Sequence, residues 1–366
     1  MPVIPIPAVP VTAILAIPVT EVSTWSGTFA TTPPPDWRLS LDISARQALK
    51  NTPLAGMTLA VRHNGDPDWV HAYGFADLEG SIQATSSTIY QIGSLSMMFT
   101  AAAVMQLVQA GQLDLNVPIS QYLQGLPEAL QSLTLHQLLT HSSKIVDPAF
   151  DTQEMFFGQV NYTSESLFQA LVPLLYISSN DVQEVFSYAN YILVGLIVEH
   201  VSGLSYPDYM QQNVFGPAGL RHTSYCLPPP YRMAIGYYLP EGKFMPLPLN
   251  VSAIFAAGGL CSTASDLLDW MDALSSGKVV SPDSYREMIT PALLPDGSDS
   301  NTGYGFWVWS TPYGQQLAYV DAEASYVSYL IAYPEKGLTV VLLSNTGKPD
   351  NDLFKIAESN IPKMMP

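Results

Sequence analysis

Tyr90-Gln-Ile-Gly-Ser-Leu-Ser-Met-Met-Phe-Thr-Ala-Ala-Ala-Val-Met-Gln-Leu-Val-Gln-Ala-Gly111 decides the fold of this chain. Gly93-Ser94 ends an extended segment, a run of strong helix formers follows, and Gly111 closes that run as a C-cap. Ser94 is thereby placed at a helix N-terminus. Its hydroxyl either caps the helix or, beside free N–H groups and the positive end of the dipole, stands where an oxyanion would be stabilised.

The flanking blocks extend this reading in both directions. Residues 36–51 read as a helix ending at Asn51-Thr-Pro. Gly56 to Asp66 alternates and closes on Asn64-Gly65, a strong hairpin signal, with Trp69-Val-His-Ala-Tyr-Gly-Phe-Ala as the partner strand. Downstream stand Gly111-Gln-Leu-Asp-Leu-Asn-Val-Pro-Ile-Ser-Gln-Tyr-Leu and Leu133-Thr-Leu-His-Gln-Leu-Leu-Thr-His-Ser-Ser-Lys144. A helix from Tyr188 to His200 stops at Ser202-Gly203, and Pro- and Tyr-rich loops occupy 217–250. A Gly258-Gly259 turn leads into another helix, capped by Ser262 or Thr263 with Asp266 in its first turn. Strands then follow at 304–309, 315–319, 326–333 and 338–345, with a turn at Pro334-Glu-Lys-Gly337, before a final helix at about 350–360.

These blocks, in this order over roughly residues 40–345, resemble the serine β-lactamase and penicillin-binding-protein family, especially its class C and esterase-like branch. The resemblance implies an α/β fold of the α+β type, an antiparallel sheet flanked by helices, with a mainly helical region inserted. Residues 36–90 and 255–366 would form the sheet domain and 91–254 the helical domain carrying Ser94 and Tyr188. Residues 1–35 would be an extended, proline-rich arm.

The resemblance also assigns roles. Ser94 is the nucleophile. Ser187-Tyr188-Ala189-Asn190 matches the family's Tyr-x-Asn motif, making Tyr188 the proton shuttle and Asn190 a substrate contact. Two cations that the family places around the serine are absent, however. Met97 stands where Ser-x-x-Lys has its lysine, and a thioether has no proton to give. The family's Lys-Thr-Gly or His-x-Gly text aligns without a gap on Tyr319-Val320-Asp321; a one-residue shift would put Val320 first. In the ungapped alignment, Tyr319 replaces the cation, and Asp321 replaces a glycine that keeps the strand open to substrate. The Ala322 N–H would complete the oxyanion hole with that of Ser94, and a carboxylate from Asp321 or Glu323 would oppose it. Alternation along the strand leaves open which acids face that space. Lys144, at a position where the family has Gly, is the nearest candidate in sequence for a replacement cation.

Composition narrows the partners. The chain has 366 residues with 14 basic against 31 acidic, a net charge of −17, which disfavours nucleic acid and anionic membranes. No uninterrupted apolar run reaches the ~18 residues of a membrane span. His136 and His141 are five apart and do not share a helical face, so no metal is expected, nor any cofactor. Cys226 and Cys261 sit in no redox or metal spacing and read as buried thiols, with a disulfide left open. The N-terminus lacks a basic segment and an unbroken apolar core, so a cytoplasmic location is expected. The oligomeric state is open.

Three functions fit. One is a serine hydrolase or acyl-transferase with altered machinery, acting on a small ester, amide or thioester. Another is a repurposed isomerase, cyclase or lyase that uses Tyr188, Tyr319, Asp321 and Glu323 without an acyl-enzyme. The third is a non-catalytic binding protein on the same scaffold.

Overall fold

In the computed structural model the described residues are 36–365, excepting 149–153, 159, 180–183, 294–296, 298, 323–324 and 348–351. The proline-rich arm and Glu323 therefore lie outside the described residues. Helix α1 (Trp37–Asn51) precedes the hairpin of β1 (Gly56–His63) and β2 (Trp69–Asp77), followed by the short β3 (Ile82–Gln83). Asn64 and Gly65 both have positive φ, 48° and 76°, as the tight turn after β1 requires. Late in the chain come β4 (Trp307–Thr311), β5 (Gly314–Ala322), β6 (Val327–Tyr333) and β7 (Leu338–Ser344). They join the hairpin in one seven-stranded sheet of order β4-β5-β6-β7-β1-β2-β3. The main pairings are antiparallel, and β1 pairs with β7 from Met57–Ser344 to His63–Leu338.

Strand periodicity sends alternate side chains to two separate cores. Met57, Leu59, Val340 and Leu342 pack with Trp37, Leu41 and the C-terminal helix on one face. Leu317, Tyr319, Leu330 and Leu343 pack on the other face, with the inserted helices. Of those, α2 (Ser96–Gln109) is buried along nearly its whole length and α3 (Tyr188–Ser202) almost as fully. An amphipathic stripe is missing from both because protein surrounds them on all sides. Gly203, at φ 72°, ends α3. The kinked α4 (Val251–Gly258) packs on both helices. In α5 (Ala264–Ser275) the cap is Thr263, whose hydroxyl accepts from the Asp266 N–H.

The cysteine expectation is corrected. Cys226 and Cys261 form a disulfide. Residues 224–225 pair with 260–261 as neighbouring strands, and that brings the two Cα atoms to 5.4 Å, inside the span a disulfide needs. Sequence spacing could not reveal the pairing, because it arises from strands 35 residues apart.

Candidate active site

Ser94 lies in a single 3-10 turn, Gly93–Leu95, that leads into α2. It is 1% exposed, and its Oγ has no hydrogen-bond partner. Gly93 has φ 50°, a conformation that favours glycine. Space gives a second reason for glycine there: a Cβ on Gly93 would collide with the Asp321 carboxyl.

Strand β5 supplies the opposite wall. It packs against the Ser94 turn, and its alternation sends Tyr319 and Asp321 toward α2 while Val320 and Ala322 face the other core. The ungapped register is thus the one that meets Ser94. Asp321 is 6% exposed. Burial pushes its carboxyl up to about 6, against the pull of the Ser94 hydroxyl and backbone amide. The Ser94 hydroxyl and backbone amide thus both face this carboxyl.

One turn into α2 stands Met97, fully buried. The Tyr319 hydroxyl donates to its sulfur at 2.8 Å. Burial drives the Tyr319 pKa well above its ordinary value, with Tyr191 and Asp321 adding to the shift. The phenol therefore stays protonated and is no base at neutral pH. Gly305, at φ 77°, presses on the Met97 carbonyl and the Met98 backbone and closes this side.

Tyr188 opens α3, where its ring packs edge-on against Phe156 at 5.0 Å and Phe186 at 5.3 Å. Asn190 is wholly buried. Its side-chain oxygen accepts from Ser143 Oγ at 2.6 Å, and its amide donates to His141 Nδ1 at 3.0 Å. Burial lowers the His141 pKa to about 3, which keeps the ring neutral. Asn190 thus braces the loop carrying Lys144. That lysine has φ 59°, the left-handed conformation glycine would adopt without strain. Among the described residues its ammonium makes no hydrogen bond or ion pair, and its carbonyl accepts from the Ser178 N–H.

The structure therefore brings Ser94, Met97, Tyr319 and Asp321 together, sets Asn190 against His141 and Ser143, next to Lys144 in the chain, and packs Tyr188 on Phe156 and Phe186. Two contributors had no sequence signal. Tyr191 donates to the Leu139 carbonyl at 2.8 Å and lines, with His141, Thr302 and Tyr319, a small void of about 10 Å³. Glu184 keeps one buried carboxyl oxygen unpartnered, and burial raises its pKa against hydrogen bonds from Thr302 and Ser300.

A serine at a helix start, walled by an antiparallel sheet on one side and by a Tyr-x-Asn helix in the inserted region, defines the β-lactamase/transpeptidase class. The family profile described as Beta-lactamase matches residues 43–360, and the chain belongs to that family. The PbpX protein of Bacillus subtilis (strain 168), which carries a provisional penicillin-binding-protein name, is 28% identical over 84% of this chain and 76% of its own. The octameric penicillin-binding protein homologue from Pyrococcus abyssi superposes with TM-score 0.75 at 25% identity, covering 87% of this chain and 76% of that one. The D-amino acid amidase from Ochrobactrum anthropi SV3, complexed with L-phenylalanine, shares the fold with TM-score 0.76 at 23% identity, over 90% and 97% of the two chains. The family contains hydrolases, β-lactamases and amidases among them.

Proposed function

We propose that this chain is a β-lactamase-like hydrolase or acyl-transferase scaffold for a small ester, amide or thioester, in which lysine-assisted activation of Ser94 has been given up. The observation that carries the reading is the Tyr319–Met97 contact. The two cation positions of the family text hold a neutral phenol and a thioether that satisfy each other, so neither can take the serine proton. Asp321 compounds the loss. Its carboxylate lies on the Ser94 amide, where an acyl oxyanion would have to form, and like charge there raises the barrier.

A second reading rests on the same carboxyl. A buried acid titrating near 6 is poised for acid–base work on a small molecule without an acyl-enzyme. The Cys226–Cys261 bridge favours an oxidising compartment over the cytoplasm, where thiols stay reduced. No helix among the described residues is long and apolar enough to cross a membrane.

The test is intact-protein mass after incubation with a chromogenic cephalosporin, a short-chain nitrophenyl ester and a fluorophosphonate, each against Ser94→Ala. Slow, Ser94-dependent adducts are expected from the ester and the fluorophosphonate. Rapid turnover of the cephalosporin would overturn the proposal.

A further inference from the structure

A small sheet grips the Ser94 turn from the side opposite Asp321. Its strands are Tyr90–Gln91, Leu260–Ser262 and Ser224–Tyr225, with Leu260–Ser262 in the middle. That middle strand holds both ends of the turn. The Ile92 N–H donates to the Leu260 carbonyl at 3.0 Å, and the Leu260 N–H donates to Ser96 Oγ at 3.2 Å. Ser94 lies between these two contacts. Asp321, on the large sheet, has its carboxyl against Gly93 and facing the Ser94 hydroxyl and amide.

The Cys226–Cys261 bridge pins the small sheet together. Cys261 follows Leu260 and pairs with Gln91 on one side and Ser224 on the other. Cys226 follows Tyr225, and its N–H donates to the Gly259 carbonyl at 2.9 Å. Strands of two and three residues are too short to stand by their own ladders. Neither main core encloses the bridge. It lies in a satellite cluster with Ile89 and Val251, flanked by Tyr225 and Met233. Both cysteines are buried, yet the chain runs from Cys226 straight into an exposed loop, where Leu227 is 43% and Tyr231 85% exposed. A small cluster beside an exposed loop is a unit that opens locally while the rest of a fold stays closed. Lifting the edge strand Ser224–Tyr225 would bare the Cys226 sulfur.

We propose that Cys226–Cys261 is a redox modification site that governs the Ser94 turn: oxidised, it clamps Ser94 against Asp321, and a dithiol that reduces it loosens the turn. This goes beyond the functional reading above and does not require that Ser94 be acylated. In the exchange, a dithiol thiolate attacks Cys226 Sγ, the S–S bond breaks, and Cys261 leaves as a thiolate that takes up a proton. The second dithiol sulfur, deprotonated in turn, displaces Cys226 from the mixed disulfide. One dithiol is oxidised to its cyclic disulfide, one bridge is reduced, and the two protons end on the two cysteines. A chain made in a reducing compartment and exported to an oxidising one would carry a loose turn until its bridge closed.

The test compares the oxidised chain with the chain treated with dithiothreitol, without denaturant, by amide hydrogen exchange over labelling times too brief for the large sheet to exchange. Intact mass verifies the uptake of two hydrogens. Peptides spanning residues 90–96 are expected to exchange at least ~10-fold faster after reduction, the factor that losing one hydrogen bond supplies. Strands β1 and β7 should stay protected. The double variant Cys226→Ala, Cys261→Ala should match the reduced chain and ignore the dithiol. Fluorophosphonate labelling of Ser94 should quicken ~10-fold on the same ground. A bridge that opens only in denaturant, faster exchange confined to residues 224–226 and 260–262, a chain-wide rise, or equal labelling of Ser94 in both forms would each overturn the proposal. If Ser94 is labelled in neither form, the functional reading fails, and exchange at residues 90–96 alone decides this one. Should the double variant not fold, the wild type with and without dithiol decides.

Discussion

Replacing Asp321 with glycine should make Ser94 more reactive. The carboxylate lies against Gly93 and the Ser94 amide, so it both covers an oxyanion donor and places negative charge beside the developing one. Two like charges ~4 Å apart repel by about 4 kcal/mol at an effective dielectric of ~20, equivalent to ~10³ in rate. Recovering one oxyanion-hole donor is worth ~10²–10³ by itself. The two effects overlap, and a glycine inside β5 loosens the strand at a cost of roughly 0.5–1 kcal/mol. The net expectation is a gain of about 10². The assay is the rate of fluorophosphonate labelling, followed by intact mass in Asp321→Gly, the wild type and Ser94→Ala. Because the carboxyl titrates near 6, the advantage of Asp321→Gly over the wild type should widen as pH rises through that value. Asp321→Asn keeps the bulk and removes the charge, so it should fall between the two. Slower labelling in a folded Asp321→Gly protein would refute this reasoning. It would identify Asp321 as the base that activates Ser94.

Asp321 also sets a pH dependence of stability. Its folded pKa of about 6 lies above the ordinary 3.8, so the folded chain binds the proton more tightly and stability falls as pH rises between those values. Asp321→Asn should therefore be more stable than the wild type above pH 7, by up to ~3 kcal/mol, and lose that advantage near pH 4, as read by urea melts. Reducing Cys226–Cys261, which closes a loop with a sequence separation of 35, should cost up to about 4 kcal/mol by chain entropy, seen as a lower Tm with dithiothreitol. Tyr319→Phe removes only the weak bond to the Met97 sulfur, and a loss of roughly 0.5–1.5 kcal/mol is expected; a collapse of the fold would mean the pair does more than fill space.

The fold was legible because its blocks are local. Asn64-Gly65, Gly111, Gly203 and Pro334–Gly337 mark turns and helix ends by backbone chemistry that needs no distant partner. Strand β4 begins at Trp307, later than alternation alone implied, because Gly303–Phe306 turns onto the first turn of α2. At the site, sequence could name Met97 and Tyr319 as replacements but could not reveal that they bond each other. Which acid faces Ser94 depended on the register of β5, fixed by pairing Asp321 with Ser328 and Tyr319 with Leu330. The disulfide, Tyr191 and Glu184 depend on contacts between distant segments, and no local pattern announces those.

The pairing of β1 with β7 has a consequence for how the chain is made. Met57 must wait for Ser344 before the central sheet can close. During synthesis the first hairpin emerges early and keeps an unpaired edge while the roughly 260 residues between Asp77 and Leu338 follow. That edge is a template for wrong partners. A ribosome stalled before residue 338 would carry a nascent chain with its inserted helices made and no β7 to cover them. Chaperone demand should therefore peak late in translation and drop once the last strand clears the exit tunnel.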